Sequence, residues 1–225
     1  ADKYSFDREA QDAYAIGSLK KAQAAIQSGA FASEITPVEV AQRGGTVTID
    51  TDEQPMKARF DKIPQLRPAF KKDGTVTAAN ASSISDGAAA VVLMRQSEAI
   101  KRGLTPLARI VAHTSHAQEP SEFTMAPIGA IGSLMAKTGW EKDSVDLFEI
   151  NEAFAVVPMA AIESLGLDAA KVNVNGGACA LGHPIGCSGT RIVVTLLAAL
   201  ANHGKRRGVA SLCIGGGEAT ALAVE

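Results

Sequence analysis

The spacing of hydrophobic and polar positions changes several times along the chain. Apolar residues recur at helical intervals through Ala13, Ile16, Leu19, Ala22 and Ile26, which predicts one amphipathic helix. Ser5 is the expected N-cap, Asp7 and Glu9 supply negative charge to the first turn, and Gly29 can stop the helix. Residues 46–50, TVTID, alternate as a strand does. A proline-punctuated stretch over 53–72 then carries Lys57, Arg59, Lys62, Arg67, Lys71 and Lys72 against few acids. It reads either as a solvated loop or as a patch that meets phosphates. Small polar residues fill 75–87, and the apolar run 88–94 reads as a buried strand. A short helix is expected over 97–101, ended by Gly103, with a domain junction near Pro106.

Beyond that junction the period alternates regularly. Strands are expected over 107–112, 145–150, 172–174, 207–214 and 219–224, and helices over 128–137, 153–165 and 189–202, the last capped by Ser188. Strands alternating with helices predict an α/β layer structure. The segment 190–200 is apolar nearly all round, which places it between two layers.

Composition narrows the function classes. Hydrophobic residues are 46% and charged residues 20% of 225 positions, a globular balance with enough chain for a substantial core. The formal net charge of −2 and only 4% aromatics argue against nucleic acid or an anionic membrane as partner. The apolar run 192–201 is too short to span a bilayer, and the polar first residues do not read as a secretory signal. Cys179, Cys187 and Cys213 are too few for a disulfide framework and are not spaced as zinc ligands, so a reducing compartment such as the cytoplasm is expected. His113 and His116 are a weak metal pair with no further ligand nearby.

Candidate chemistry lies where strands are expected to end. Asn151 follows VDLFEI, His183 follows the strand near Val172, and Cys213 precedes Gly215-Gly216-Gly217. In α/β sheets ligands sit at such carboxyl ends. His183 stands between Gly182 and Pro184 on a stiff turn in a stretch (173–191) with five glycines. An amide, an imidazole and a thiol gathered there suit enolisation of, or attack on, a carbonyl compound, with backbone N–H groups of the glycine run as an oxyanion nest. Taken singly, each signal also has a plain reading. His183 can merely hydrogen-bond a carbonyl, Asn151 can cap a helix, and Cys213 can fill a core.

Three longer motifs, in order, narrow the choice. NEAFA (151–155), NVNGGACALGHPIGCSG (173–189) and SLCIGGGEA (211–219) resemble the three C-terminal motifs of the thiolases, and TVTAANASSISDGAAA (75–90) resembles that family's segment over bound coenzyme A. The resemblance runs the length of the chain and is nearest to the acetyl-CoA acetyltransferase branch. It implies a layered α/β/α/β/α fold: a partial loop domain over 1–83, the last strand and helix of the first core domain over 84–105, and a complete second core domain over 106–225.

The resemblance further implies that acetyl-CoA and 3-ketoacyl-CoA are substrates, that no cofactor is needed beyond these thioesters, and that the protein is a homodimer or homotetramer. His183 would activate the nucleophilic cysteine and help form one oxyanion hole, completed by a water on Asn151. Cys213 would move the α-proton, and Gly215 N–H would serve the other oxyanion hole. Ser82, Ala81, Ala78, Ala153 and Phe154 would line the pantetheine channel, with Lys62 near the nucleotide end, where the family's Arg and Ser contacts fall instead at Pro55 and Lys62. The family's acyl-accepting Cys-Gly-Ser-Gly segment does not occur, so the chain resembles the later part of a thiolase that needs its N-terminal half. Alone it is expected to be inactive, with an exposed edge at 88–94. A non-catalytic coenzyme A or acyl binder is the alternative, but Asn151, His183 and Cys213 are all present. Ketoacyl synthases, a further relative, lack the thiol at the position of Cys213.

Overall fold

The computed structural model describes residues 1–225. Helix α1 (Arg8–Ser28) is capped by Asp7, which accepts from Ala10 N at 2.7 Å, and ends at Gly29 with φ 74°. The cap is therefore Asp7 and not Ser5. Ser5 takes a left-handed φ of 54° closing a short 3₁₀ turn, Asp2–Tyr4, so the chain reverses before the helix begins. One stripe of α1 buries Ala15, Leu19, Ala22 and Ala25, but Gln11, Asp12 and Ser18 are buried as well. Helix α1 therefore docks through hydrogen bonds as much as through apolar contact.

Strands β1 (Val38–Gln42) and β2 (Gly45–Ile49) form an antiparallel hairpin in which every residue is exposed. Only β2 is foreshadowed by alternation in the sequence. Two 3₁₀ turns, Pro55–Lys57 and Phe60–Gln65, interrupt the stretch expected to be extended. The run 88–94 forms no strand and is largely exposed, with Val92 at 85% and Leu93 at 71%. Its apolar composition signals burial, yet no strand of these 225 residues pairs with it. Helix α2 (Gln96–Lys101) follows.

Residues 110–224 build one four-stranded sheet of order β3-β6-β5-β4. Its strands are β3 (Ile110–Ala117), β4 (Leu147–Ile150), β5 (Gly208–Ile214) and β6 (Glu218–Val224). β4 and β5 run parallel, whereas β6 is antiparallel to both neighbours. β3 begins later and runs longer than its sequence suggests because its extent is set by β6: Ile110 pairs with Val224 and Ala117 with Glu218. The strand expected at 172–174 is reduced to one bridge between Phe148 and Val172. Asn173, at φ 48°, turns the chain away there.

Helices α3 (Ala126–Thr138) and α4 (Val156–Leu165) cover one face of the sheet, and α6 (Ser188–Asn202) covers the other. A short α5 (Ala178–Leu181) packs against α1. The result is an α/β/α stack whose largest core holds Ile131, Leu134, Phe148 and Ile150. Truncating fully buried Leu134 to alanine is expected to cost about 2–5 kcal/mol. No residue of α6 from Ser188 to Leu200 is exposed, in keeping with its nearly uniform apolarity. α4 starts at Val156 rather than at residue 153, because residues 153–155 pair with the segment 80–82 instead. No helix is long and apolar enough to cross a membrane.

Candidate active site

Strand β4 delivers Asn151 to the carboxyl end of the sheet, where its backbone N–H donates to Ser211 of β5 at 2.9 Å. Two residues past Ser211, the same edge of β5 carries Cys213. The Asn151 side chain is buried, and its Nδ2 lies 3.3 Å from Nε2 of His183. Its Oδ1 is buried without a hydrogen-bond partner among the protein groups.

His183 is held from three sides. Its backbone N–H donates to Ser83 at 2.9 Å, and a parallel bridge joins it to Ile84. The third hold is Ser188, whose hydroxyl donates to the Pro184 carbonyl at 3.1 Å and meets His183 Nδ1. A hydroxyl has one proton to give. With that proton directed to Pro184, the oxygen is placed to accept from Nδ1–H, the arrangement we assign because it leaves Nε2 unprotonated to accept from the Asn151 amide. Burial, and secondarily the nearby Arg191 guanidinium, hold the imidazole below its usual range, so it is a neutral base at pH 7. Ser188 was expected as a helix cap, but it is the first residue of α6, behind Cys187 in the cap position, and its hydroxyl orients the ring.

Cys213 is 7% exposed, and burial pushes its thiol up to about 11, offset only in part by a hydrogen bond from its own backbone. It rests as a thiol, a proton donor. After it the chain turns through Gly215-Gly216-Gly217, closed by Gly217 N–H to Ile214 O at 3.2 Å. Gly217 has φ 95°, and a Cβ there would come within 2.3 Å of the Gln118 carbonyl. Glycine alone fits. Gly215 is exposed, and a Cβ on it would meet nothing within 4 Å, so there is open room beside its Cα.

The strip 80–84 is laced between the Asn151 turn and the His183 turn. Ala155 N–H donates to Asn80 O at 2.8 Å, Ser82 donates to Ala153 O through both backbone and hydroxyl at 3.0 Å, and Ala81 bridges Phe154. Four of the expected lining residues, Ala81, Ser82, Ala153 and Phe154, are thus neighbours. Ala78 is exposed at the start of the same strip, in the turn where Asn80 Oδ1 accepts from Thr77 N–H at 2.8 Å. Lys62 stands apart: it is half exposed and its ion pair is with adjacent Asp61 at 4.0 Å. The basic stretch is also more balanced than its sequence suggests, since Lys57 pairs with Glu53 at 2.6 Å and Arg59 with Asp61 at 3.5 Å. His113 and His116 lie three positions apart on β3, hence on opposite faces. His116 packs on Gly129 of α3.

Three residues go unmarked in the sequence. Phe70 and Phe123 lie edge-on to Phe154, with ring centroids 6.2 and 6.4 Å away; aromatics this scattered leave no local signal. Asn173 clamps Ile150 N and O at 2.8 Å each, for which its place in the glycine-rich motif was the only hint.

This geometry has close counterparts. The model of the thiolase N-terminal domain matches residues 1–97, and that of the thiolase C-terminal domain matches residues 104–225. The chain belongs to the thiolase family. Across its whole length this thiolase chain is 52% identical to an acetyl-CoA acetyltransferase of Thiocystis violacea, of which it covers 58%. It superposes on the crystal structure of the Bacillus anthracis acetyl-CoA acetyltransferase with a TM-score of 0.96 at 44% identity, covering 57% of that chain. On a thiolase of Ascaris suum in complex with coenzyme A the TM-score is 0.87 at 43% identity, again over 57% of that chain. The thiolase chain therefore spans a little over half the length of the relatives it matches.

Proposed function

We propose that these residues carry the second half of an acyltransferase active site, which exchanges acyl groups between coenzyme A thioesters by thiolysis of a 3-ketoacyl-CoA or by condensation of two acetyl-CoA. The observation that carries this is the His183–Asn151 contact, with the imidazole tautomer set by Ser188, at the sheet edge that also presents Cys213. In thiolysis, a cysteine thiolate from the family's Cys-Gly-Ser-Gly segment, outside these 225 residues, attacks the 3-keto carbon. The bond between C2 and C3 breaks, and its electron pair passes to acetyl-CoA as an enolate. Cys213 gives its S–H proton to C2 and, as thiolate, takes one from coenzyme A. The coenzyme A sulfur attacks the acyl-enzyme, leaves as the second acyl-CoA and frees the nucleophilic cysteine, which recovers its proton from His183. His183 Nε2 takes the proton of the attacking thiol, then as imidazolium donates to the thioester oxyanion. By the family pattern Asn151, 3.3 Å from His183 Nε2, would hold the water that completes that oxyanion hole. Gly215 N–H, at the open turn, serves the oxyanion on the acyl-enzyme side.

Ala78, Ala81, Ser82, Ala153 and Phe154 would line the pantetheine arm, because a strip of small side chains lets a flat thioester approach backbone closely. Lys62 would reach toward the nucleotide phosphates. No cofactor beyond coenzyme A thioesters enters this scheme. The division at 83/84 and 105/106 is proposed on the family pattern; the second boundary falls between α2 and the first strand of the sheet. A cytoplasmic homodimer or homotetramer, complete with the N-terminal half, completes the reading, and the three unpaired cysteines favour a reducing compartment. A purely binding role loses ground, since a binder has no need for a neutral imidazole, a carboxamide in contact with it and a protonated thiol at one edge.

The test is to give the complete enzyme acetoacetyl-CoA and coenzyme A, and to follow acetyl-CoA formation and, by mass spectrometry, an acetylated cysteine. Turnover with a trapped acetyl-enzyme is expected. Binding of the thioester with neither product nor acyl-enzyme would refute the proposal.

A further inference from the structure

Next to Asn151 in the chain stands Glu152, which is 1% exposed and has no cation bonded to it. Burying a carboxylate is costly unless its oxygens are satisfied. Here they are satisfied by four donors from distant parts of the chain. Oε1 accepts from Tyr14 O–H at 3.1 Å and from Asn173 Nδ2 at 2.9 Å. Oε2 accepts from Ser18 O–H at 2.7 Å and from Cys179 N–H at 3.0 Å. Gly177 approaches so closely that a Cβ on it would lie 2.4 Å from the carboxylate carbon, and Gly177 N–H donates to Ser18 Oγ at 2.9 Å.

Three elements therefore meet on one side chain: helix α1 through Tyr14 and Ser18, the 173–179 turn, and the exit of β4. Burial and the adjacent Glu152 charge both push the Tyr14 hydroxyl well above its usual range, so Tyr14 remains a donor at every working pH. Asn173, which shares Oε1, also clamps the backbone of Ile150, the residue before Asn151. The direction of the Asn151 carboxamide is thus set by its neighbours on both sides.

We infer that Glu152 is a positioning residue for the acyl-transfer reaction: its four hydrogen bonds lock α1 and the 173–179 turn to the β4 exit and so aim Asn151 at His183. The inference rests on the proposed function. Glu152→Gln replaces one accepting oxygen by an NH2 that must face donors, which leaves at least two groups mismatched at near-constant volume.

The experiment is a double-mutant cycle in the complete enzyme, assaying acetoacetyl-CoA thiolysis for Glu152→Gln, Asn151→Ala and the pair. With Asn151 present, Glu152→Gln is expected to lower kcat about 10- to 100-fold, with KM for acetoacetyl-CoA changing less than about threefold. In the Asn151→Ala background the same change should lower kcat by less than about threefold, because the side chain it aims is gone. Should Glu152→Gln not fold, Ser18→Ala and Tyr14→Phe each delete one donor and enter the same cycle, with a smaller but equally non-additive loss expected. Equal losses in both backgrounds, or a loss that merely tracks the folded fraction in thermal melts, would overturn the inference while leaving the acyltransferase reading intact. Unaltered enzyme that fails to turn over would overturn both.

Discussion

Ser188 Oγ stands between His183 Nδ1 and the Pro184 carbonyl, placed to accept the Nδ1 proton while giving its own to Pro184. This relay through a fully buried hydroxyl decides which imidazole nitrogen is basic. Ser188→Ala leaves Nδ1–H without a partner and the tautomer unselected. An unsatisfied buried donor costs about 1–3 kcal/mol, so kcat/KM for thiolysis in the complete enzyme should fall roughly 5- to 150-fold with little change in fold. Unchanged kcat/KM in Ser188→Ala would show that the ring needs no such anchor.

The acid limb of activity should report His183. Burial and Arg191 both disfavour the imidazolium, so the ring stays neutral below its usual value near 6.5, and kcat/KM should decline with an apparent pKa under that value. The stability sign follows: the unfolded chain takes up the proton first as pH falls, so His183 favours the fold above about pH 6.5 and loses that contribution below it. A pH–rate profile checks the first point, and an acid limb well above 6.5 would contradict it.

A thiol pushed up to about 11 should react slowly. Cys213 is expected to resist iodoacetamide at pH 7 and to label faster as pH rises toward that value. Peptide mapping after timed alkylation reads this directly. Rapid labelling of Cys213 at neutral pH would mean that the thiolate is already populated.

Beneath the sheet, Glu149 of β4 is fully buried, one carboxylate oxygen lacks a partner, and burial raises its pKa to about 8 against the opposing pull of Arg191. Glu34, raised to about 7, also by burial, lies in the same cluster. A raised folded pKa means stability is fullest below the unfolded value near 4.5 and is lost as pH climbs through about 8. Thermal midpoints of the complete enzyme should fall over that window, and Glu149→Gln should flatten the slope and raise the midpoint at pH 8. A midpoint that rises between pH 5 and 8 by an amount Glu149→Gln leaves unchanged would contradict this.

Gly217→Ala forces a Cβ toward the Gln118 carbonyl at an unfavourable φ. A loss of at least about 1 kcal/mol is expected, together with reduced turnover, because the same turn presents Gly215. Denaturant titration with a parallel assay checks both, and wild-type stability would show the turn to be pliable.

The candidate site residues stand out in the sequence because each sits beside its own punctuation. Asn151 ends a short buried strand, His183 lies between glycine and proline, and Cys213 precedes three glycines. What the sequence hid depends on partners far along the chain. Residues 153–155 look helical but pair with residues 80–82. Ser188 looks like a cap but serves an imidazole. The polar face of α1 looks solvated, yet Ser18 and Tyr14 reach Glu152 more than 130 residues away. The run 88–94 shows the limit most plainly, since its apolar residues announce burial without saying against what.

The central claim is that His183, Asn151 and Cys213 act at one crevice on the α-carbon of a coenzyme A thioester. Its most direct test is exchange of the acetyl protons of acetyl-CoA in deuterated water, followed by mass spectrometry. The complete enzyme should wash deuterium into the methyl group, and Cys213→Ala should abolish that exchange while still accepting an acetyl group on its nucleophilic cysteine. Exchange at the unaltered rate in Cys213→Ala, or none in the unaltered enzyme, would contradict the assignment.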